Sequence, residues 1–375
     1  MATSMPLSRN YGIQRFRHSV YVDYGSSNMQ SQNFSLPYPY FIQVSTTTTV
    51  SLAYPPEMGG STPDLSAFED ILKPVYPGQK IIDIKTYSEH PHPHYLLLLS
   101  SGVELVLKTS TPQPSTLLYH ERHSLETEAH ILCLLESSEI WCIPKLLRCE
   151  ATKTSTSTPY LLRHKFKGVP LADIEGSLTT EDRRLVDRQL GIAVEQIGQH
   201  TATKFGSVYD ICHGTGERTW RRAFLNMLES VLWNAENMLI TIPYSEIRYQ
   251  ATRLDAAFDE VTEPRLSFYD IGRPSNIIVD SKTRAIVGLT DFTGVIWGDV
   301  LMADIFENPS ADILAGYGLD PTQSGYAPIR LLFYSCYRNI LKIVKQYYRK
   351  QQTDEELQAR KAITANLAKI AAFAL

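Results

Sequence analysis

The spacing of apolar residues changes character along the chain. Residues 1–63 are rich in Ser, Thr, Tyr and Pro and poor in charge, and sustain no helical period. Ser45–Val50 is their one strand candidate, so they are expected to form a poorly ordered or peripheral extension. From Asp64, a plausible N-cap, LSAFEDIL sets Leu65, Phe68, Ile71 and Leu72 on one helical face before Pro77-Gly78 breaks the chain. KIIDIKTY and YLLLLSSGVELVLKTS then read as strands. The loop Ser88–His94 separates them, and a Ser101-Gly102 turn within the second run makes Leu105–Lys108 a third strand. ERHSLETEAHILCLLES carries an apolar stripe of Leu125, Ala129, Leu132 and Leu135, a helix. IPKLLRCEA and TPYLLRHKF follow as two more strands joined by a Ser/Thr-rich turn at Lys153–Pro159.

After Leu178 the period becomes helical. Thr180 is a plausible cap, Arg183–Gln199 and Trp220–Met238 form long amphipathic helices, and Pro328–Arg349 and Asp354–Phe373 form two more. Short strands return between Arg265 and Leu289. The pattern predicts an α+β protein: extension 1–63, a small antiparallel-sheet lobe 64–166, and a larger helical lobe 167–375.

A chain of 375 residues with 43% hydrophobic and 20% charged positions suits two packed lobes plus an extension. No apolar run approaches the ~18 residues of a membrane span. The net charge of −4 gives no sign of nucleic-acid binding. Charge is nonetheless uneven. Residues 171–320 hold 23 acids against 13 bases, and residues 321–375 hold 9 bases against 3 acids. The acidic middle leans towards a cationic acceptor or a nucleotide-bound metal, or is a solvated surface. The basic tail, Arg338 to Lys361, either faces solvent or docks on the acidic lobe. Five cysteines without a CxxC pair favour a reducing compartment, so a cytoplasmic location is expected. Arg9, Arg15 and Arg17, with no acid before Asp23, bear only a weak likeness to a transit peptide.

The chemistry concentrates in Phe268–Phe306, FYDIGRPSNIIVDSKTRAIVGLTDFTGVIWGDVLMADIF. A carboxylate, Asp270, is followed by an amide, Asn276, an apolar strand, a turn, a second strand and another carboxylate, Asp291. Phosphoryl transfer from a nucleotide needs such a set: one carboxylate for the attacking hydroxyl, and an amide oxygen and a carboxylate for the divalent ion. With Asp291-Phe292, Gly298-Asp299 and Asp304, the segment resembles the aminoglycoside phosphotransferase and choline kinase superfamily, of protein-kinase-like fold. The resemblance implies ATP and Mg2+ as cofactors, Asp270 as catalytic base, Asn276 and Asp291 as metal ligands, and Asp304 as a brace for the loop. It makes Lys108, ending ELVLK, the phosphate-binding lysine and Glu128 its partner, with Glu121 and Glu126 as rivals. It puts the inter-lobe hinge near Arg163–Gly168, and matches His200 with Phe205-Gly206 to a helix-ending pattern in which a packed structural histidine is the better reading.

Three departures stand out. Phe268 replaces the family histidine, the Asp270–Asn276 spacing is one residue longer, and Ser88–His94 lacks the glycines expected over phosphates. His90, His92 and His94 alternate and are conceivable metal ligands, but an exposed, Pro-stiffened loop is the expected state. Trp220, Trp233 and Trp297 are expected in the core, with Trp297 alone a candidate to line the site. The expected function is transfer of the ATP γ-phosphate to a hydroxyl or amine of a small molecule. The alternatives are a kinase-fold binding or regulatory protein, or one running a different reaction on a small metabolite.

Overall fold

The computed structural model describes residues 65–87, 92–111, 117–118, 121–150, 158–350 and 354–373. The proposed extension, the Ser45–Val50 strand, the Asp64 cap and His90 lie outside the described residues. Among those described, the order is α1 (Leu65–Leu72), β1 (Ile81–Tyr87), β2 (His94–Leu99), β3 (Glu104–Thr109), α2 (Ser124–Glu136), β4 (Leu146–Glu150) and β5 (Tyr160–His164). The five strands form one antiparallel sheet ordered β1-β2-β3-β5-β4. Alternation along ELVLK and YLLR decides its two faces. Leu105, Leu107 and Leu162 face the small core with Phe68 and Leu72 of α1. Lys108 pairs with Leu161 and Val106 with Arg163, so Lys108 and Arg163 share the opposite face, towards α2.

The larger lobe begins with β6 (Val169–Pro170), α3 (Leu171–Ile174) and α4 (Thr180–Gly198). The α4 cap is Thr179, one residue before the expected Thr180: its hydroxyl accepts from Asp182 N–H while the Asp182 carboxylate accepts from Thr179 N–H, a capping box. Next come β7 (Gly206–Ser207), α5 (Val208–Cys212), α6 (Trp220–Asn237) and α7 (Tyr244–Arg253), then β8 (Arg265–Phe268), β9 (Ile277–Val279), β10 (Ile286–Leu289) and β11 (Val295–Gly298). The pattern did not reveal β11. Its VIWG is buried on both faces between β7 and β8, so it shows no alternation. The chain closes with α8 (Ala311–Tyr317), α9 (Ala327–Arg349) and α10 (Glu355–Ala371).

Two features position the site. Helices α4 and α8 approach so closely that a Cβ on Gly191 would lie 2.2 Å from Ile313 O, and one on Gly316 2.1 Å from Arg188 O. Helix α9 is buried along most of its length. There, Trp220 Nε1–H donates to Tyr334 Oη (2.6 Å), Tyr334 O–H donates to Asp299 (2.8 Å), and Arg330 Nε–H donates to the same carboxylate (2.9 Å). Within the basic tail, Arg338 reaches Glu307 of the same lobe (2.7 Å), whereas Lys345 (3.7 Å) and Arg349 (2.6 Å) reach Glu121 of the small lobe, and Lys342 is exposed. Trp220 is core as expected, whereas Trp233 on α6 is 58% exposed.

Candidate active site

Lys108 stands at the end of β3 on the face turned towards α2, and Glu128 lies one helical turn past Ser124. Both are buried, and Lys108 Nζ donates to Glu128 Oε2 at 2.6 Å. Neither rival glutamate takes this place: Glu121 pairs with Arg349 (2.6 Å), and Glu126 lies 3.8 Å from His213 Nε2. The same Lys108 nitrogen is 3.7 Å from Asp291 Oδ1, which brings the small-lobe lysine to the loop after β10. Asp291 has φ +62°, a left-handed backbone that aspartate adopts more readily than most residues but at a cost of roughly 1–2 kcal/mol. Thr293 O–H donates to its Oδ1 at 2.8 Å and fixes the rotamer.

Asp270 begins the turn between β8 and β9. The extra residue in the Asp270–Asn276 spacing is absorbed locally. Arg273 N–H donates to Asp270 O (3.3 Å), Asn276 N–H donates to Arg273 O (2.8 Å), and Pro274–Asn276 forms one 3-10 turn. Asn276 is buried, and its Nδ2–H donates to Asp270 O at 3.3 Å, leaving Oδ1 as the acceptor end of the amide. Asp304 Oδ1 accepts from Gly272 N–H at 2.8 Å and ties the turn down. Phe268 packs edge-on against Phe292, with ring centroids 5.4 Å apart, so aromatic contact fills the position of the family histidine.

The Asp270 carboxyl group lies against the Asp291–Gly294 loop: a Cβ on Gly294 would come within 2.6 Å of Asp270 Oδ1. Burial pushes this carboxyl up to about 7. Lys345 opposes the shift, while Asp291 and Asp304 add to it. Burial also raises Asp304, against the Gly272 hydrogen bond and Arg338.

Asn276 Oδ1 and Asp291 are hard oxygen donors of the kind magnesium takes. Magnesium is characteristically held by one or two protein carboxylates plus nucleotide phosphates. The described residues contain no cluster of three His, Cys, Asp or Glu able to hold a metal unaided. A two-donor protein set completed by phosphates fits these positions.

No protein-family profile matches the sequence, and no curated protein is similar to it. Solved structures are similar over about four-fifths of the chain. A thermostable mutant of aminoglycoside phosphotransferase APH(4)-Ia, in complex with ADP and hygromycin B, superposes with TM-score 0.57 at 15% identity over 82% of this chain and 100% of that one. The streptomycin–ATP complex of APH(2″)-IIa gives 0.57 at 13% identity, over 84% and 100%. The GDP complex of an aminoglycoside phosphotransferase IIIa mutant gives 0.55 at 14%, over 81% and 98%. The chain has the aminoglycoside phosphotransferase fold. Its α+β, two-lobed, kinase-like architecture is the one the sequence pattern led us to expect.

Within this phosphotransferase fold, several expectations need correction. His92 is not on an exposed loop. It is 2% exposed, its Nδ1 accepts from Thr111 N–H (3.2 Å), and its Nε2–H therefore donates to Ser124 Oγ (2.7 Å), whose proton goes to Glu121 O (2.7 Å). Burial, with Lys108 nearby, lowers this imidazole to about 4, so it is a neutral pin between the sheet and α2. Trp297, by contrast, is core as expected, buried in β11 between two strands. His200 agrees with the structural reading: it bridges the helix ends, accepting from Ser138 Oγ at Nε2 (2.6 Å) while Nδ1–H donates to Ile197 O (3.1 Å).

Sequence reasoning missed two cations. Arg163 was read only as hinge backbone. Its guanidinium is buried, which lowers it, while Glu128 and Asp291 pull it back up. Lys345 was read only as part of a basic tail. Period-2 placement with Lys108 could have found Arg163; nothing local signals Lys345. A cavity of about 300 Å³ adjoins the site, with Tyr269, Thr293, Tyr209 and Asn234 among its lining residues.

Proposed function

We propose that the protein transfers the γ-phosphate of ATP to a hydroxyl or amine of a small molecule. In this reading residues 64–166 form the nucleotide lobe and 167–375 the lobe that holds the acceptor. The observation that carries it is the meeting of Lys108 with both Glu128 (2.6 Å) and Asp291 (3.7 Å), beside the Asp270–Asn276 turn. A lysine held by a buried carboxylate presents a fixed point charge to phosphates. Asn276 and Asp291 would hold magnesium, which supplies charge neutralisation on the phosphates. Asp270 orients the acceptor and takes its proton. A carboxyl group raised to about 7 is well matched to that task near neutral pH, where both protonation states are populated. The ADP and ATP bound in the similar structures agree with a nucleotide in this cleft.

The test is thermal unfolding with ATP and magnesium. A ligand at 100 times its Kd stabilises the native state by about 2.7 kcal/mol. Asp291→Ala should abolish the stabilisation, and an undiminished shift in that variant would remove the metal-site assignment. Phe268 in place of histidine favours one second reading, a nucleotide-binding protein without transfer. Stabilisation by ATP with no ADP formed across acceptor panels would select it.

A further inference from the structure

We propose that the cavity beside the catalytic turn is a binding site for a hydroxylated two-ring molecule without negative charge, separate from the nucleotide cleft, and that its occupancy tightens the binding of ATP with magnesium. The site stands on the cavity alone, and the coupling rests on the phosphotransferase reading.

The cavity, about 300 Å³, is walled by α2, α5, α6, β11 and α9. Its floor is apolar: Phe205, Val231, Val295 and Ile296 are all buried. The exposed His123 and Asn226 mark its mouth. An apolar cavity of about 150 Å³ holds benzene, so this one has room for two fused rings. Lys108, Asp270, Asn276 and Asp291 do not line it, which makes it a space distinct from the phosphate cleft.

Three hydroxyl groups meet the cavity from three helices: Thr127 of α2, Ser230 of α6 and Tyr337 of α9. None of them makes a hydrogen bond among the described residues. Thr127 is 8% exposed and Tyr337 3%, so bulk solvent does not satisfy them freely. Burial alone raises the Tyr337 phenol, with no partner to oppose it. Neighbouring core groups are matched: Trp220 Nε1–H and Tyr334 O–H both donate. A buried polar group without a partner is costly. A few convergent polar groups on apolar walls are also the composition of a small-molecule site. Ligand oxygens that meet these hydroxyls supply the missing partners.

Charge excludes an anion. The cavity is lined by two carboxylates, Asp210 and Glu217, and by no Lys or Arg. Asp210 accepts from Ser207 O–H (2.6 Å), and Glu217 accepts from Asn226 Nδ2–H (2.9 Å) and pairs with Arg222 (3.3 Å). A negative ligand would lose its hydration without gaining a counter-charge.

Two residues join the cavity to the phosphate cleft. Thr293 lines the cavity and donates to Asp291 Oδ1 (2.8 Å), and Thr127 directly precedes Glu128, the partner of Lys108. A ligand that fits the present seating of α2 and of the Asp291 loop favours the arrangement in which Lys108, Glu128 and Asp291 meet. ATP and magnesium need the same arrangement, so each ligand strengthens the other.

Dihydroxynaphthalene, naphthol and naphthoate share a two-ring body and carry two hydroxyls, one hydroxyl or a carboxylate. Titrated calorimetrically into the full chain, the diol should bind more tightly than naphthol, and naphthol more tightly than naphthoate. Tyr337→Phe should weaken the diol by about three- to tenfold, the loss of one neutral hydrogen bond. It should also leave the Tm of the empty protein unchanged or raised, because it removes a buried hydroxyl that has no partner. Ser230→Ala, at a half-buried position, is the second variant and keeps the test valid if Tyr337→Phe unfolds. Saturating diol should tighten ATP with magnesium by about fivefold. Three results would overturn the site: no saturation by the diol or naphthol up to about 1 mM, which leaves the cavity to water alone; naphthoate binding as tightly as naphthol; or affinities indifferent to both variants. Displacement of the diol by ATP would overturn its separateness, and an unchanged ATP affinity would overturn the coupling. ATP titrated without the diol judges the phosphotransferase reading: if it does not bind, the coupling falls with that reading, and the probe titrations still decide the site.

Discussion

Glu128→Ala is the most informative single perturbation. Glu128 is 1% exposed and is the 2.6 Å partner of Lys108, and its charge also supports the buried Arg163 guanidinium. Its removal leaves two buried cations facing one remaining carboxylate, Asp291, which is 3.7 Å from Lys108. Breaking a buried pair on one side costs about 3–5 kcal/mol, because the survivor keeps its desolvation penalty without its Coulombic return. For a unit of this size that corresponds to roughly 5–8 °C in Tm. Circular dichroism melts measure the loss, and calorimetry measures ATP binding at a temperature where the variant remains folded. The double variant Lys108→Met with Glu128→Leu replaces the pair by apolar groups of similar size. It should recover most of the stability, since such replacements are often neutral or better, yet form no ADP. Equal instability of the single and double variants would refute the electrostatic argument. Normal turnover by the double variant would refute the role of Lys108 at the phosphates.

Asp270→Asn should keep ATP binding and lose ADP formation. It should also remove a pH dependence. The Asp270 carboxyl is raised to about 7 in the fold, so its protonated form contributes stability below the ordinary carboxylate range, and this is lost as pH rises through about 7; melts from pH 4 to 8 of wild type and variant should diverge in that direction. His92 works the other way: held at about 4, it contributes stability that is present above its ordinary value of 6.5 and lost as pH falls towards 4, and His92→Gln should flatten that limb of the stability curve. Away from the site, Gly191→Ala or Gly316→Ala should lower stability by about 1–3 kcal/mol through overpacking, with the Kd for ATP unchanged by calorimetry; unchanged Tm values would mean that α4 and α8 can separate without cost.

Alternation in ELVLK and YLLR, the stripe Leu125–Ala129–Leu132–Leu135 and the turn at Ser101-Gly102 were enough to order three strands, a helix and two strands. Burial of one face is a local demand, and it leaves a period in the sequence. The run DIGRPSN followed by an apolar strand and Asp291-Phe292 marked the candidate chemistry for the same reason: a turn and a hairpin hold those residues at a short chain distance. β11 escaped notice because a strand covered on both faces has no period to show.

What the sequence could not decide was which distant charges meet. Glu128 had Glu121 and Glu126 as rivals by position, and only the seating of α2 on the sheet gave Glu128 to Lys108 and Glu121 to Arg349, 228 residues away. His92 read as loop until the packing enclosed it. The basic tail read as a bulk charge until α9 laid Lys345 and Arg349 against Glu121. Periodicity records the faces that each element must bury. Long-range pairing arises only when elements remote in number are packed together, and no short window of residues encodes it.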